Sequence, residues 1–310
     1  MRIGRLEESA YKRINKYKKS CQGQLITISK TSVVNYSLAP QDVLTAALNK
    51  LYAAYADPIG ISVSLILPTD TTTQYATAIM EQLSKIADVE AVPITDINAT
   101  AQSVDKAIVT VTVIGRPGAE GSHSEGSQSA RPQLKGHEIV IAGAVAGLGT
   151  AVMAELKSEK LLEVFAEPFV RGAANFREEL SARKIAGIAR ENGGEFLYAF
   201  SEGGIFAGLW DIAGELKSGL SVDLKKIPIR QETIELSEVL EINPYLIDST
   251  GAVAIITGSA SELIRSLENE GIKAESVGTL KAGNDKVLLN DGEVRYIDRP
   301  QQDEIYRLFE

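Results

Sequence analysis

Phe196–Leu220 reads FLYAFSEGGIFAGLWDIAGELKSGL, and the order of its parts decides the fold. A short apolar run reaches Ser201-Glu202-Gly203-Gly204, and apolar residues at helical spacing begin at once. The stretch is therefore a strand that turns directly into a helix through two glycines. Such a turn has two uses. Ser201 or Glu202 can accept hydrogen bonds from the first helical N–H groups, and Gly203-Gly204 let another backbone pack closely. Alternatively, the exposed helix start can meet an anionic ligand.

The same arrangement occurs upstream. EIVIAG (Glu138–Gly143) reads as a strand and leads into GAVAGLGTAVMAEL, where Gly143, Gly147 and Gly149 end a strand and open a helix. Free N–H groups at such a helix start can hold a phosphate, but neither G-x-G-x-x-G nor a P-loop lysine is present. Close strand-to-helix packing explains these glycines equally well. Helical patterns follow around Glu167–Glu178 and Glu179–Asn192, then a strand at Ala252–Gly258 and a helix in SASELIRSLENEG. Asn290-Asp291-Gly292 is a β-hairpin turn signal.

Towards the N-terminus, Leu25–Val34, Ile61–Pro68 and Ala107–Gly115 alternate as strands. Gln41–Tyr55, just after Pro40, and Thr71–Ala87 have helical spacing. A less regular segment precedes the last of these strands. The order is that of an α/β or α+β domain. Between the halves, GRPGAEGSHSEGSQSARPQLKG (Gly115–Gly136) is Gly/Ser-rich without apolar periodicity and reads as a linker. The expected layout is thus an N-terminal domain over 1–115, a flexible linker over 116–136 and a C-terminal domain over 137–310.

The chain has 310 residues, 44% hydrophobic and 24% charged, which is ordinary for a soluble two-domain protein. Its net charge of -9 speaks against nucleic acid and a membrane surface as partners. No stretch resembles a secretory leader or a membrane span, so the expected location is cytoplasmic. One cysteine, Cys21, excludes an internal disulfide framework. The two histidines, His123 and His137, lack a partner at ligand spacing, which sets aside a histidine-based metal site or relay.

Several words in this order resemble the aminoimidazole ribonucleotide (AIR) synthetase superfamily, nearest its hydrogenase-maturation carbamoyl dehydratase-like branch. IVIAGAVAGLGTAVMA is similar to the strand-glycine-helix opening of that family's C-terminal domain, and SEGGIFAGLWDIAGE to its Glu-Gly-Gly helix start. KKIPIRQETIELSEVLEINPYLIDSTG, GIKAESVGTLKAG, ALNKLYAAYADPIGISVSLILP and VDKAIVTVTVIG resemble further family segments in the family order. The resemblance implies an α+β, two-domain AIR-synthetase-like fold. Its N-terminal mixed sheet with helices would dimerise through its strands, and its C-terminal domain would be α+β. It also implies ATP as cofactor, with Mg²⁺ held by carboxylates.

Against that pattern the chain carries substitutions. Where the family places a Thr-Asp strand end stands Ser29-Lys30, and where it places Asn-Asp stands Asn49-Lys50. Its Gly-Gly-His-Thr-Glu word falls on Thr95–Ala99, and the His-Asp before Glu-Gly-Gly is lost. Only SCQGQ occupies the space of its first acidic hairpin, and no cysteine follows Cys21 to carry the dehydratase chemistry. Lysines pair with phosphate as point charges but do not hold Mg²⁺. The remnants of a nucleotide site are then Lys30, Asn49, Lys50, Gly147, Gly149, Glu202, Gly203 and Gly204. No catalytic residue and no metal ligand is assigned, although Asp57 or Asp96 could stand in as carboxylates. In the bland reading Asp57-Pro58 is a turn and Asp96 a loop residue. The expectation is a catalytically degenerate homologue that binds a small-molecule ligand or a protein partner, as a homodimer or with an active paralogue. The alternative is an ATP-dependent phosphotransferase or ligase-type enzyme with a rebuilt site.

Overall fold

The computed structural model describes residues 25–34, 39–118 and 134–309. Cys21, His123 and most of the expected linker (119–133) lie outside the described residues. The described residues fall into two compact units, 25–118 and 134–309.

In the first unit, the described strands β1 (Ile26–Val33), β2 (Ala56–Pro68), β3 (Ile94–Gln102) and β4 (Ile108–Pro117) form one sheet in the order β1-β4-β2-β3. β4 is antiparallel to both β1 and β2, whereas β3 runs parallel to β2. The parallel pair needs a crossover, supplied by helix α2 (Thr73–Val89), whose N-cap Thr72 accepts from the Tyr75 N–H at 3.2 Å. Helix α1 (Pro40–Ala53) packs on β1, β4 and α2. β4 shows why: Val109, Val111 and Val113 are fully buried, while the alternate Thr110 and Thr112 face the other way.

That opposite face is tiled with hydroxyls. Ser29 and Thr31 of β1 stand opposite Thr112 and Thr110, with Oγ–Oγ1 and Oγ1–Oγ1 distances of 2.7 and 2.8 Å. Ser62 and Ser64 of β2 share those rows. β3 forms one edge, and all its residues except Ile94 are exposed.

Sequence expectations need correction here in two places. Asp57-Pro58 is not a turn: β2 starts at Ala56, and the register shifts between Pro58 and Gly60, where a bulge tolerates proline. Asp96 is not in a loop but in β3, within the segment read as irregular.

The second unit is built on seven described strands, β5 (Glu138–Gly143), β6 (Gly194–Ala199), β7 (Gly219–Asp223), β8 (Ala252–Thr257), β9 (Ala274–Lys281), β10 (Lys286–Asn290) and β11 (Glu293–Tyr296). Their order is β11-β10-β7-β9-β5-β8-β6, antiparallel throughout except for β7 with β10. The unbroken apolar runs of β5 and β8 are central and buried on both faces. β10 and β11 meet through Asp291 (φ 50°) and Gly292 (φ 83°), a two-residue turn of the type that matches strand twist.

Helices α3 (Gly147–Leu156), α4 (Ser158–Leu162), α5 (Glu167–Ala174), α6 (Arg183–Glu191), α7 (Gly204–Leu216), α8 (Gln231–Leu240) and α9 (Ala260–Asn269) complete the described part of this unit. The stretch expected as one helix over 179–192 starts only at Arg183, after a 3₁₀ turn over Asn175–Glu179. A further 3₁₀ turn lies at Leu224–Lys226, and another, Glu304–Phe309, buries Ile305 and Leu308.

Candidate functional site

Two glycine turns, those that open α3 and α7, converge on one loop. This loop, Asn243–Gly251, follows α8 and carries the sequence NPYLIDSTG. At α7, Gly203 (φ 85°) and Gly204 (φ 67°) adopt left-handed backbone. A Cβ on Gly204 would lie 2.5 Å from the Tyr245 carbonyl oxygen and 2.8 Å from that of Ile247. At α3, a Cβ on Gly149 would meet the Ile247 side chain at 2.6 Å, and one on Gly147 would meet Ala144 at 2.8 Å. The glycines make room for the loop's own backbone and side chains.

The helix starts are already hydrogen-bonded. At α3, the Ala146 N–H donates to Ser249 Oγ (3.0 Å), the Gly147 N–H to the Ala144 carbonyl (2.9 Å), the Leu148 N–H to Thr250 O (3.3 Å) and the Gly149 N–H to Asp248 O (3.0 Å). At α7, the Gly204 N–H donates to Ser201 O (3.1 Å). The Gly203 N–H donates to Asp303 Oδ2 at 2.5 Å, across 100 residues of sequence. Neither Ser201 nor Glu202 caps α7 through its side chain. Instead the Ser201 carbonyl also accepts from the Ser249 N–H, and Glu202 Oε1 accepts from the Tyr306 hydroxyl at 2.9 Å.

Asp303 is the residue that sequence reading overlooks. It is 2% exposed, and its Oδ1 accepts from the N–H groups of Asp248 (3.2 Å) and Ile305 (2.7 Å). Burial, then the neighbouring Asp248 carboxylate and to a lesser degree Glu202, push its carboxyl well above the usual carboxylate range. The Ile305 and Gly203 N–H groups pull against this without reversing it. Asp248 is buried too, its Oδ1 accepting from the Thr250 N–H at 2.8 Å. Nothing local in QQDEIYRLFE marks Asp303, because its partners come from α7 and the Asn243–Gly251 loop.

Beside this network the Phe206 and Tyr245 rings stack in parallel, 5.2 Å apart at 2°. Burial raises the Tyr245 hydroxyl's pKa above the usual tyrosine value.

Lys30, Asn49 and Lys50 belong to the first unit, on the side of its sheet that α1 covers. Lys30 lies opposite the buried Val111, Asn49 is 1% exposed within α1, and Lys50 is in the last turn of that helix. Of the two reserve carboxylates, Asp96 accepts from Ser62 Oγ at 2.8 Å, and Asp57 stands opposite Arg116 in the ladder. Among the described residues no group of three or more His, Cys, Asp or Glu side chains could hold a metal ion.

No family model and no curated protein matches this sequence. Solved structures do. HypE, a hydrogenase maturation protein from E. coli, superposes with a TM-score of 0.70 at 15% identity, covering 97% of this chain and 92% of that one. A HypE in complex with ATP gives a TM-score of 0.72 at 18% identity, over 93% and 89% of the two chains. Thiamine monophosphate kinase from Aquifex aeolicus gives 0.70 at 14% identity, over 96% and 100%. These proteins are AIR synthetase-like superfamily members. The chain has the two-domain AIR-synthetase-like fold. Within that fold, Glu202-Gly203-Gly204 and Gly147–Gly149 are brought together on the Asn243–Gly251 loop, while Lys30, Asn49 and Lys50 are carried by the other unit.

Proposed function

We propose that this chain is an AIR-synthetase-fold protein that no longer performs phosphoryl transfer and works by binding a protein partner or a small ligand. The observation that carries this reading is the hydrogen bond from the Gly203 N–H to Asp303. A glycine turn at a helix start serves an anion only while its N–H groups are free. Here one is taken by the Asp303 carboxyl of the same chain, and the turn at α3 is taken by Ser249 Oγ and carbonyl oxygens. A phosphate entering at Gly203 would have to displace Asp303 and approach Asp248 and Glu202. The residues present therefore do not fit a triphosphate at this turn.

In the other unit, Lys30 and Lys50 occupy positions where the resemblance expects metal-binding carboxylates. Cations there favour a metal-free anion contact over a Mg²⁺ site.

The partner we favour is a second copy of this chain, joined through the sheet of the first unit. Its hydroxyl face can be covered at low cost, since Ser29 with Thr112 and Thr31 with Thr110 already satisfy one another. A solved neighbour of the same fold is a HypE–HypF complex, so a different protein is the second candidate partner.

The test is calorimetric titration with ATP, with and without Mg²⁺, alongside a hydrolysis assay. The expected result is no Mg²⁺-dependent binding and no hydrolysis. Micromolar, Mg²⁺-dependent binding with turnover sensitive to Asp96→Asn would instead establish the phosphotransferase reading.

A further inference from the structure

The segment that follows β11 returns to the glycine turn of α7 and is fastened there by a few specific contacts. Besides the three N–H groups that converge on Asp303, the Glu304 N–H donates to Leu246 O (3.2 Å) and Arg307 Nη1 to Glu241 O (2.9 Å). The Tyr306 hydroxyl bonds Glu202 on the turn itself. Ile305 and Leu308 are buried, at 2% and 4% exposure.

The fastening places like charges together. The charged or titratable groups around Asp303 are Asp248 from the loop, Glu202 from the turn, and Glu304, Tyr306 and Arg307 from its own segment. The segment also packs on α3, whose single titratable side chain, Glu155, is held by Arg177. Arg307 is engaged by Glu304 and the Glu241 carbonyl. The Asp303 carboxyl thus depends on backbone N–H groups alone while sharing a buried site with Asp248.

We propose that residues 303–309 form a pH-sensitive latch on the glycine turn of α7, firm while Asp303 keeps its proton and loosened when it is lost. The sign follows from the geometry: the carboxyl is 2% exposed and shares its site with the buried Asp248, and both features disfavour its charged form. Latching is fully favourable below the ordinary aspartate value and weakens as pH rises through the raised one. The latch shares the Asp303 contact with the functional reading, but its test needs no nucleotide, so either can fail without the other.

The test is hydrogen exchange of the amides in 203–206 and 303–309 over a pH series, corrected for intrinsic exchange. Protection in the wild type should fall by about tenfold or more as pH rises across the series. Asp303→Asn should show no such fall. Asp248→Asn, which removes the repelling neighbour, should show a shallower one. Flat protection in the wild type, or an equal fall in Asp303→Asn, would overturn the latch. Should Asp303→Asn not fold, an undiminished fall in Asp248→Asn would overturn it.

Discussion

A methyl group on Gly204 would press against the Tyr245 carbonyl at 2.5 Å, on backbone at φ 67° that side chains resist. Gly204→Ala should therefore destabilise the protein by about 1–3 kcal/mol in urea unfolding. Gly187 supplies the contrast, since it sits inside α6 with nothing within 4 Å of its Cβ position. Gly187→Ala should stabilise by about 0.5–1 kcal/mol, because alanine gives up less chain entropy in a helix. Asp303 makes a prediction that depends on pH. Its raised carboxyl favours the folded state most in acid. The stability of the wild type relative to Asp303→Asn should be greatest below the ordinary aspartate value and decline as pH rises through the raised one. Parallel urea midpoints for the two proteins across pH 4–8 would contradict it. From sequence, Glu202, Gly203 and Gly204 are legible as a turn, because serine, carboxylate and glycine chemistry is local. Asp303 is not legible, since it meets Gly203 only across 100 residues.

Elements announced by local chemistry are the ones the sequence discloses. The Asp291-Gly292 hairpin is readable because two positive φ values demand those residue types. The buried strands β5 and β8 are readable from their apolar runs. β3 is not: its ITDINATAQ is almost wholly exposed, so no buried face imposes alternation on it. The start of β2 is hidden by Asp57-Pro58, which reads as a turn in any local scan and is accommodated by the bulge at Pro58/Gly60. β3 also carries the element-scale prediction. It is an edge without lysine or proline, the residues that commonly block strand addition. If two copies pair through the hydroxyl face of this sheet, Asn98→Lys with Thr100→Lys, in register with Ser64 and Ile66, should convert a dimer to a monomer in light scattering while leaving the circular dichroism unchanged. A dimer that survives both substitutions would remove β3 from the interface.

At the scale of the whole molecule, the order of strands, helices and glycine turns carries the fold even at 14–18% identity to its solved neighbours. Function travels less well, because it resides in a handful of side chains set on that fold. Here the N–H groups at the two glycine turns are bonded within the chain, and Lys30 and Lys50 lie in the other unit. Among the described residues no helix is long and apolar enough to cross a membrane. The measurement that bears most directly on the account is calorimetric titration of the full chain with ATP in the presence and absence of Mg²⁺. Mg²⁺ should add nothing to any heat of binding. A micromolar site that appears only with Mg²⁺ would contradict this and favour an ATP-dependent phosphotransferase.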